Sequence, residues 1–122
     1  MINKIDHVAI IVSNNENLDF YCKLGFEEIR RIKRETKGDI LVMMSNGNST
    51  LEFFIRENAP LRHCTPEAYG CRHIAFVVES VEEVINTLKG YEAKPIVITP
   101  DGDKIVFITD NDGQPIEFIE RP

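Results

Sequence analysis

An internal repeat constrains the fold of this 122-residue chain more than any other feature of its sequence. Segment 6–12, with the sequence DHVAIIV, returns as segment 72–78, with the sequence RHIAFVV, at an offset of 66 positions. The two segments align His with His and Ala with Ala, and their apolar runs are typical of strands. A repeat of this length indicates two copies of one supersecondary unit.

Each copy is expected to fold as a βαβββ unit. The predicted helices cover about 15–24 and 81–89, and each follows an S-x-x-E capping box that starts at Ser13 or Ser80. A Gly after the last turn ends each helix, because Gly tolerates a positive φ angle. The strands that follow the helices are predicted at about 26–33, 39–45 and 49–55 in the first copy, and at about 93–98, 104–109 and 115–120 in the second.

Neither copy contains enough apolar residues to form a core alone, so the two are expected to pack together. We therefore predict a single α+β domain over 1–122. Module one covers 1–57, a connector covers 58–70 and module two covers 71–122.

A His and a Glu recur at nearly the same spacing within each copy. His7 precedes Glu52 by 45 positions, and His73 precedes Glu117 by 44. Alternation along the strands places each His on the face opposite the all-apolar one. A charged Glu in apolar surroundings is costly unless it is paired or coordinated, so two imidazoles and two carboxylates are suited to bind one divalent ion. A single His or Glu on a strand is more often hydrogen-bonded or solvated, and the metal-site hypothesis depends on the repeat of both.

The charge balance argues against two classes of partner. The net charge is −6 at pH 7 and the pI is about 5.0, which disfavours binding to nucleic acid and to anionic membranes. No apolar run approaches the roughly 20 residues that span a bilayer, and no secretory signal is expected. Three cysteines without a C-x-x-C pair are typical of reduced thiols, so a cytoplasmic location is expected.

One basic run interrupts this acidic chain, because residues 30–37 include five Lys or Arg residues. The run is explained either by a solvated edge strand that resists aggregation or by a site for the anionic tail of a substrate. The candidates for contact with a small-molecule substrate are Arg34, Lys37, Lys104 and Phe54.

In this order, the motifs resemble those of the vicinal oxygen chelate superfamily, the glyoxalase I-like proteins, and in particular its short bacterial members. The resemblance covers nearly the whole chain. It depends on DHVAI around His7, FYCKLGF at the exit of the first helix, LEF around Glu52, GCRHIAF around His73 and DGQPIE ending at Glu117. It implies two βαβββ modules whose curved, mixed sheets surround a metal cavity.

The resemblance also implies a ligand set and a reaction. The metal ligands of the family correspond to His7, Glu52, His73 and Glu117, and the family assigns the catalytic base to a metal-bound Glu, here Glu117 or else Glu52. One divalent ion is implied per site, with Ni²⁺ or Co²⁺ favoured and Zn²⁺ or Mn²⁺ also compatible. The expected enzyme is a lyase of the lactoylglutathione lyase type, which detoxifies methylglyoxal. It would convert the hemithioacetal of an α-ketoaldehyde and a thiol into a thioester through a metal-bound enediolate.

Other functions within the superfamily stay open at this point. One alternative is an epimerase or a ring-cleaving dioxygenase, although dioxygenases of this superfamily use two His and one carboxylate. Another is a non-catalytic protein that binds a small molecule or an antibiotic, which would not need four ligands. The thiol cosubstrate is open, because the residues that bind glutathione in the family are not clearly reproduced. The four ligands would come from one chain or from facing modules of two chains, and a homodimer is favoured.

Overall fold

A computed structural model describes residues 1–122 of the protein, and it contains one sheet for each copy of the repeat. The chain divides into two compact units, Met1–Pro60 and Leu61–Pro122. Their boundary lies inside the predicted connector, and a single domain over both copies stays a prediction. The predicted α+β class is confirmed, because both sheets contain parallel and antiparallel pairs and the helices are few and short.

The sheet of the first unit has four strands, which are β1 (Val8–Val12), β2 (Glu27–Arg34), β3 (Asp39–Ser45) and β4 (Thr50–Ile55). They lie in the order β1-β4-β3-β2. The first strand runs parallel to β4, and the other neighbours are antiparallel. The predicted strands of this copy are confirmed to within one residue at each end.

The sheet of the second unit contains β5 (Ile74–Val77), β6 (Glu92–Ala93), β7 (Val97–Ile98), β8 (Lys104–Thr109) and β9 (Pro115–Glu120). The order is β5-β9-β8-β6, and β7 also pairs with β8. The prediction of one continuous strand over 93–98 is wrong, because two short strands flank Pro95. A proline has no backbone N–H for the ladder and interrupts the pairing.

The two helical segments begin differently. The predicted cap at Ser13 is wrong: the side chain of Asn14 accepts a hydrogen bond from the backbone N–H of Asn17, and a 3₁₀ turn over Asn15–Leu18 precedes helix α1 (Asp19–Lys23). In the second unit, Ser80 Oγ accepts from the Glu83 N–H at 3.1 Å and caps helix α2 (Val81–Thr87), as predicted. Neither helix has the length and apolar character needed to cross a membrane.

One face of each sheet carries the core of its unit. In the first unit, the rings of Tyr21 and Phe53 are fully buried and their centroids lie 4.6 Å apart. In the second, α2 packs against β8 and β9, with Leu88 and Phe118 buried. Along β4, residues alternate between buried and half-buried, so the face opposite the core stays accessible. In each unit, the predicted His and Glu ligands lie on the face of the sheet opposite the core.

Candidate metal centre

The same strand register positions one His and one Glu in each unit. In the first unit, Ala9 lies opposite Glu52 in the parallel pair β1/β4. In the second, Ala75 lies opposite Glu117 in the parallel pair β5/β9. Each His precedes its Ala by two residues, so strand alternation places the His and the Glu on one face. The sequence repeat is therefore also a repeat in the placement of these side chains.

His7 and Glu52 form the first couple. Nε2 of His7 lies 3.6 Å from Oε1 of Glu52. The Glu52 side chain is only 18% exposed, whereas the His7 side chain is 36% exposed. At this separation the two groups attract each other when His7 is protonated, but the distance exceeds that of a hydrogen bond.

The other ring nitrogen of His7 contacts Asp6, whose Oδ2 lies 2.8 Å from Nδ1. A carboxylate only accepts hydrogen bonds, so this contact requires a proton on Nδ1. In the neutral imidazole, Nε2 then carries the lone pair, and this is the ring nitrogen near Glu52 and the form that binds a metal. The hydrogen bond to Asp6 is also the main reason that the pKa of His7 lies above 6.5, while partial burial opposes the rise and the charge of Glu52 adds to it.

His73 and Glu117 form the second couple. Nε2 of His73 and Oε1 of Glu117 are hydrogen-bonded at 3.1 Å. Both side chains are largely buried, and the edge of the His73 ring packs against Phe107, with centroids 4.9 Å apart. Because Phe107 lies opposite Glu117 in the ladder between β8 and β9, it borders the couple directly.

The second couple has the opposite tautomer from the first. Nη1 of Arg72 lies 3.2 Å from Nδ1 of His73. An arginine side chain has only donors, so Nδ1 accepts and the neutral ring carries its proton on Nε2, which donates to Glu117. A metal ion at Nε2 would have to displace that proton. In the first couple, Nε2 of the neutral His7 is therefore already free of a proton and able to bind a metal. In the second couple, Nε2 of the neutral His73 is protonated.

The donor atoms of the second couple lie at the spacing of two neighbouring positions around a divalent ion, and those of the first couple lie farther apart. Ligands about 2.1 Å from an ion and at right angles to each other lie roughly 3 Å apart. The corresponding distances are 3.6 Å in the first couple and 3.1 Å in the second. Within its own unit, neither couple is joined by a third His, Cys, Asp or Glu that would complete a metal-binding group. Each couple thus supplies two donors of the right chemistry, and the sharing of one ion by both stays a prediction.

Two of the predicted substrate contacts, Arg34 and Phe54, lie together in the first unit. Nε and Nη2 of Arg34 donate to the two carboxylate oxygens of Asp39 at 2.6 and 2.7 Å. The guanidinium carbon of Arg34 lies 4.7 Å from the centre of the Phe54 ring. Phe54 follows Glu52 by two positions in β4 and shares its face.

The other two predicted contacts lie elsewhere. Lys37 is exposed in the turn between β2 and β3, and its side chain forms no ion pair. Lys104 alternates with buried Val106 and therefore lies on the core face of its sheet. Its Nζ is 2.9 Å from Glu82 and 3.9 Å from Glu120, so it pairs beside the start of α2 rather than beside the second couple.

Sequence reasoning missed four residues that contact these groups: Asp6, Arg72, Asp39 and Arg56. Asp6 and Arg72 each immediately precede a repeated His, and that shared position was a usable signal. The Asp39–Arg56 contact at 2.9 Å joins residues 17 positions apart and depends on the pairing of β3 with β4. No local pattern in the sequence marks it.

Comparison with known proteins agrees with this architecture. Residues 4–118 match the Glyoxalase/Bleomycin resistance protein/Dioxygenase superfamily. The chain is 38% identical to the uncharacterized protein YwkD of Bacillus subtilis (strain 168), with 99% of each chain covered. It is 42% identical to a glyoxalase family protein from Enterococcus faecalis, whose crystal structure superposes with a TM-score of 0.88 over 96% of this chain and 97% of that one. The trypanothione-dependent glyoxalase I of Leishmania major shares the fold, with 24% identity, a TM-score of 0.73 and coverage of 98% and 87%. The chain therefore belongs to the glyoxalase/bleomycin resistance/dioxygenase superfamily, the vicinal oxygen chelate proteins.

Proposed function

We propose that the protein is a divalent-metal-dependent lyase of the glyoxalase I type. Its substrate would be the hemithioacetal formed by an α-ketoaldehyde, such as methylglyoxal, and a thiol, and its product would be the isomeric thioester. The observation that carries this proposal is the presence of two equivalent imidazole–carboxylate couples, placed by the same register in both units. The superfamily includes enzymes such as lactoylglutathione lyase.

The proposed ligands of the ion are His7, Glu52, His73 and Glu117. Imidazole nitrogen and carboxylate oxygen are compatible with Ni²⁺ or Co²⁺, which we favour, and with Zn²⁺ or Mn²⁺. When bound, the ion would supply Lewis-acid stabilisation of the negative charge that develops on two adjacent substrate oxygens. The partial burial of Glu52 and Glu117 supports a role as ligands, because a carboxylate that is mostly removed from water is stabilised by a cationic partner.

The chain's own contribution to the chemistry would be proton transfer by a carboxylate. We assign this role to Glu117 first and to Glu52 second. The carboxylate would take the proton from the hemithioacetal carbon and return it to the neighbouring carbon, while the hydroxyl proton passes from the oxygen of the first carbon to that of the second. Substrate and product are isomers, so the step needs no oxidant or reductant. A base within hydrogen-bond reach accelerates such a transfer by about 10²–10⁴-fold.

The contacts around Glu117 in the second couple support its assignment as the base. Glu117 accepts a hydrogen bond from Nε2 of His73, and Phe107 borders the couple on one side. The hydrogen bond would be lost if Nε2 bound the ion, but the packing of Phe107 beside Glu117 would remain. It limits the access of water to the carboxylate, which favours a positioned base. The Glu52 carboxylate has a longer contact, of 3.6 Å, to its own His.

The test of this function is a screen of methylglyoxal adducts with different thiols, followed by proton NMR in D₂O. We expect thioester formation with at least one thiol, and the Glu117→Gln variant should lose at least 100-fold in kcat/KM. Glu79→Gln is the matched control, because Glu79 is exposed and forms no ion pair. A chain that binds a full complement of metal and converts none of these adducts would contradict the proposal.

A further inference from the structure

Two of the three cysteines of the chain line one cavity of the second unit. Cys64 and Cys71 are free and exposed, and both border a cavity of about 770 Å³ whose lining residues all belong to Leu61–Pro122. The two positions lie close together in the sequence, so a disulfide between them would close only a short ring. A pair of accessible thiols in one cavity is typical of a cysteine and its resolving partner.

One guanidinium connects the sulfur of Cys64 to the backbone beside Cys71. Nη1 of Arg62 lies 3.2 Å from Sγ of Cys64, and Nη2 of the same group donates to the carbonyl of Arg72 at 2.7 Å. Arg72 immediately follows Cys71. Two hydrogen bonds to one planar group therefore hold the Cys64 sulfur near the chain segment that carries the second thiol.

The strand register places both cysteines beside the same turn. The thiol of Cys64 donates to the carbonyl of Gly113, with Sγ and O 3.5 Å apart. Cys71 and Gly113 each precede by three positions a member of the pair Ile74 and Ile116, which are opposite each other in β5/β9. Both thiols and Gly113 line the same cavity, as this register requires.

Arg62 is the one arginine or lysine of this cavity without a carboxylate partner. The other charged side chains pair with one another, in Arg72–Glu67 at 2.5 Å and Lys94–Glu92 at 3.6 Å. The contacts of the Arg62 side chain are instead the Cys64 sulfur and a backbone carbonyl. A cationic donor beside a thiol favours the thiolate, which is the form that reacts with oxidants.

We propose that Cys64 and Cys71 form a redox-active dithiol, in which hydrogen peroxide oxidises Cys64 and Cys71 resolves the product to a disulfide. The thiolate of Cys64 would attack one oxygen of the peroxide, and the O–O bond would break to give a sulfenic acid and hydroxide. The sulfur of Cys71 would then form the S–S bond and displace the second hydroxide from Cys64. In total, two thiols lose two electrons and two protons, and one peroxide is reduced to two waters.

The disulfide would remove two hydrogen bonds, because it has no S–H group to donate. One of these bonds ends at the carbonyl of Gly113, and the other runs from Cys71 to the carbonyl of His73, with Sγ and O 3.8 Å apart. The oxidation state of the thiols would thus change the backbone contacts of the second couple. The proposal itself involves neither the metal nor the proposed reaction.

The test is peptide mapping of the full-length chain after treatment with one equivalent of hydrogen peroxide and alkylation of the remaining thiols. Trypsin cleaves after Arg62 and Arg72, so residues 63–72 form one peptide that contains both cysteines. We expect this peptide to be unalkylated and lighter by two hydrogens, and dithiothreitol should restore both thiols. A peptide that gains oxygen without forming the disulfide would overturn the proposal.

Two references show whether the folded structure causes the reaction. The chain unfolded in urea should form the disulfide roughly tenfold more slowly, because only the folded chain holds Arg62 beside Cys64. Cys22 is the internal control and should stay reduced, because partial burial, with the charges of Asp19 and Glu28, raises the pKa of its thiol. Equal rates in the folded and unfolded chains, or oxidation of Cys22 first, would contradict a prepared site.

Variants separate the roles of the two thiols and of the arginine. Cys71→Ser should stop at a sulfenic acid on Cys64, which dimedone traps. Arg62→Gln should slow the oxidation of Cys64 several-fold, while Arg30→Gln, at an exposed position of β2, is the control with the same change in charge. If Arg62→Gln does not fold, Arg62→Lys keeps the charge and should react nearly as fast as the wild type. An Arg62→Gln variant that reacts at the wild-type rate would contradict the role of the guanidinium.

Discussion

Oδ2 of Asp6 lies 2.8 Å from Nδ1 of His7, and this contact places the lone pair of the imidazole at Nε2, facing Glu52. Carboxylates that bind the far nitrogen of a ligand His fix its tautomer and its orientation. Arg72 contacts His73 in the equivalent position and has the opposite effect, because a guanidinium only donates. The two couples are thus equivalent in backbone register and different in their readiness to bind a metal.

Replacement of Asp6 should weaken metal binding without removal of a ligand. For Asp6→Ala we expect roughly tenfold lower affinity for Ni²⁺ or Co²⁺, at the low end of the range for such partners because Asp6 is exposed. Calorimetric titration of the metal-free chain measures this affinity. Asp101→Ala, at an exposed turn, is the control and should bind like the wild type. An unchanged affinity for Asp6→Ala would show that the contact does not prepare His7 for the ion.

The charge of Asp39 should make stability depend on pH in the acid range. Hydrogen bonds from Arg34 are the main cause of a pKa below the ordinary value of 3.8 for this carboxyl, and Arg56 adds to the effect. A lowered pKa in the folded state means that the stabilisation is complete above the unfolded value and is lost as the pH falls through the folded value. Asp39→Asn should therefore unfold at lower urea concentration than the wild type at pH 7, and the difference should shrink below about pH 3.8.

Urea unfolding between pH 2.5 and pH 7 measures this difference. Asp101→Asn serves as the reference for removal of an exposed carboxylate. A gap between Asp39→Asn and the wild type that stays constant down to the lowest pH would contradict the role of the ionised carboxylate.

Much of the fold could be predicted, because the internal repeat and the turn residues are visible in the sequence itself. The repeat of His7 and His73 gave the two-unit organisation, and turn residues gave β3, β8 and β9 with the observed bounds. The first helix start was misplaced because Ser13 and Asn14 are both good capping residues and only the folded chain selects between them. The continuous strand predicted over 93–98 is wrong at Pro95, because a proline has no backbone N–H to donate to the ladder.

Of the candidate site, only the two His–Glu couples could be predicted, because the internal repeat contains both of them. The spacing in the sequence predicts the pairing of His7 with Glu52 and of His73 with Glu117. Both copies have the same strand register, so the spacing is nearly the same in each. The contacts of Arg34 and Arg56 with Asp39 could not be predicted in this way. Asp39 begins β3 and Arg56 follows β4, and only sheet pairing joins these two residues. A basic run predicts a charged region, but a buried counter-charge decides which arginines become fixed.

A homodimer whose chains share sites predicts complementation between inactive variants. His7→Ala and His73→Ala should each be inactive alone. Unfolded together and refolded as a mixture, they should regain about a quarter of wild-type activity, because half of the dimers are mixed and each mixed dimer has one intact pair of couples out of two. Refolded separately and then assayed together without subunit exchange, they should stay inactive. No recovery after joint refolding would assign all four ligands to one chain.

The metal content of the purified chain tests the central claim most directly. Elemental analysis should find one divalent ion per chain in the wild type, whether the ligands come from one chain or from two. Glu52→Gln and His73→Ala, which remove one ligand from each couple, should each lose most of the bound ion, while Glu79→Gln should retain it. If Glu52→Gln and His73→Ala both kept metal at wild-type stoichiometry, the two couples would not form the metal site.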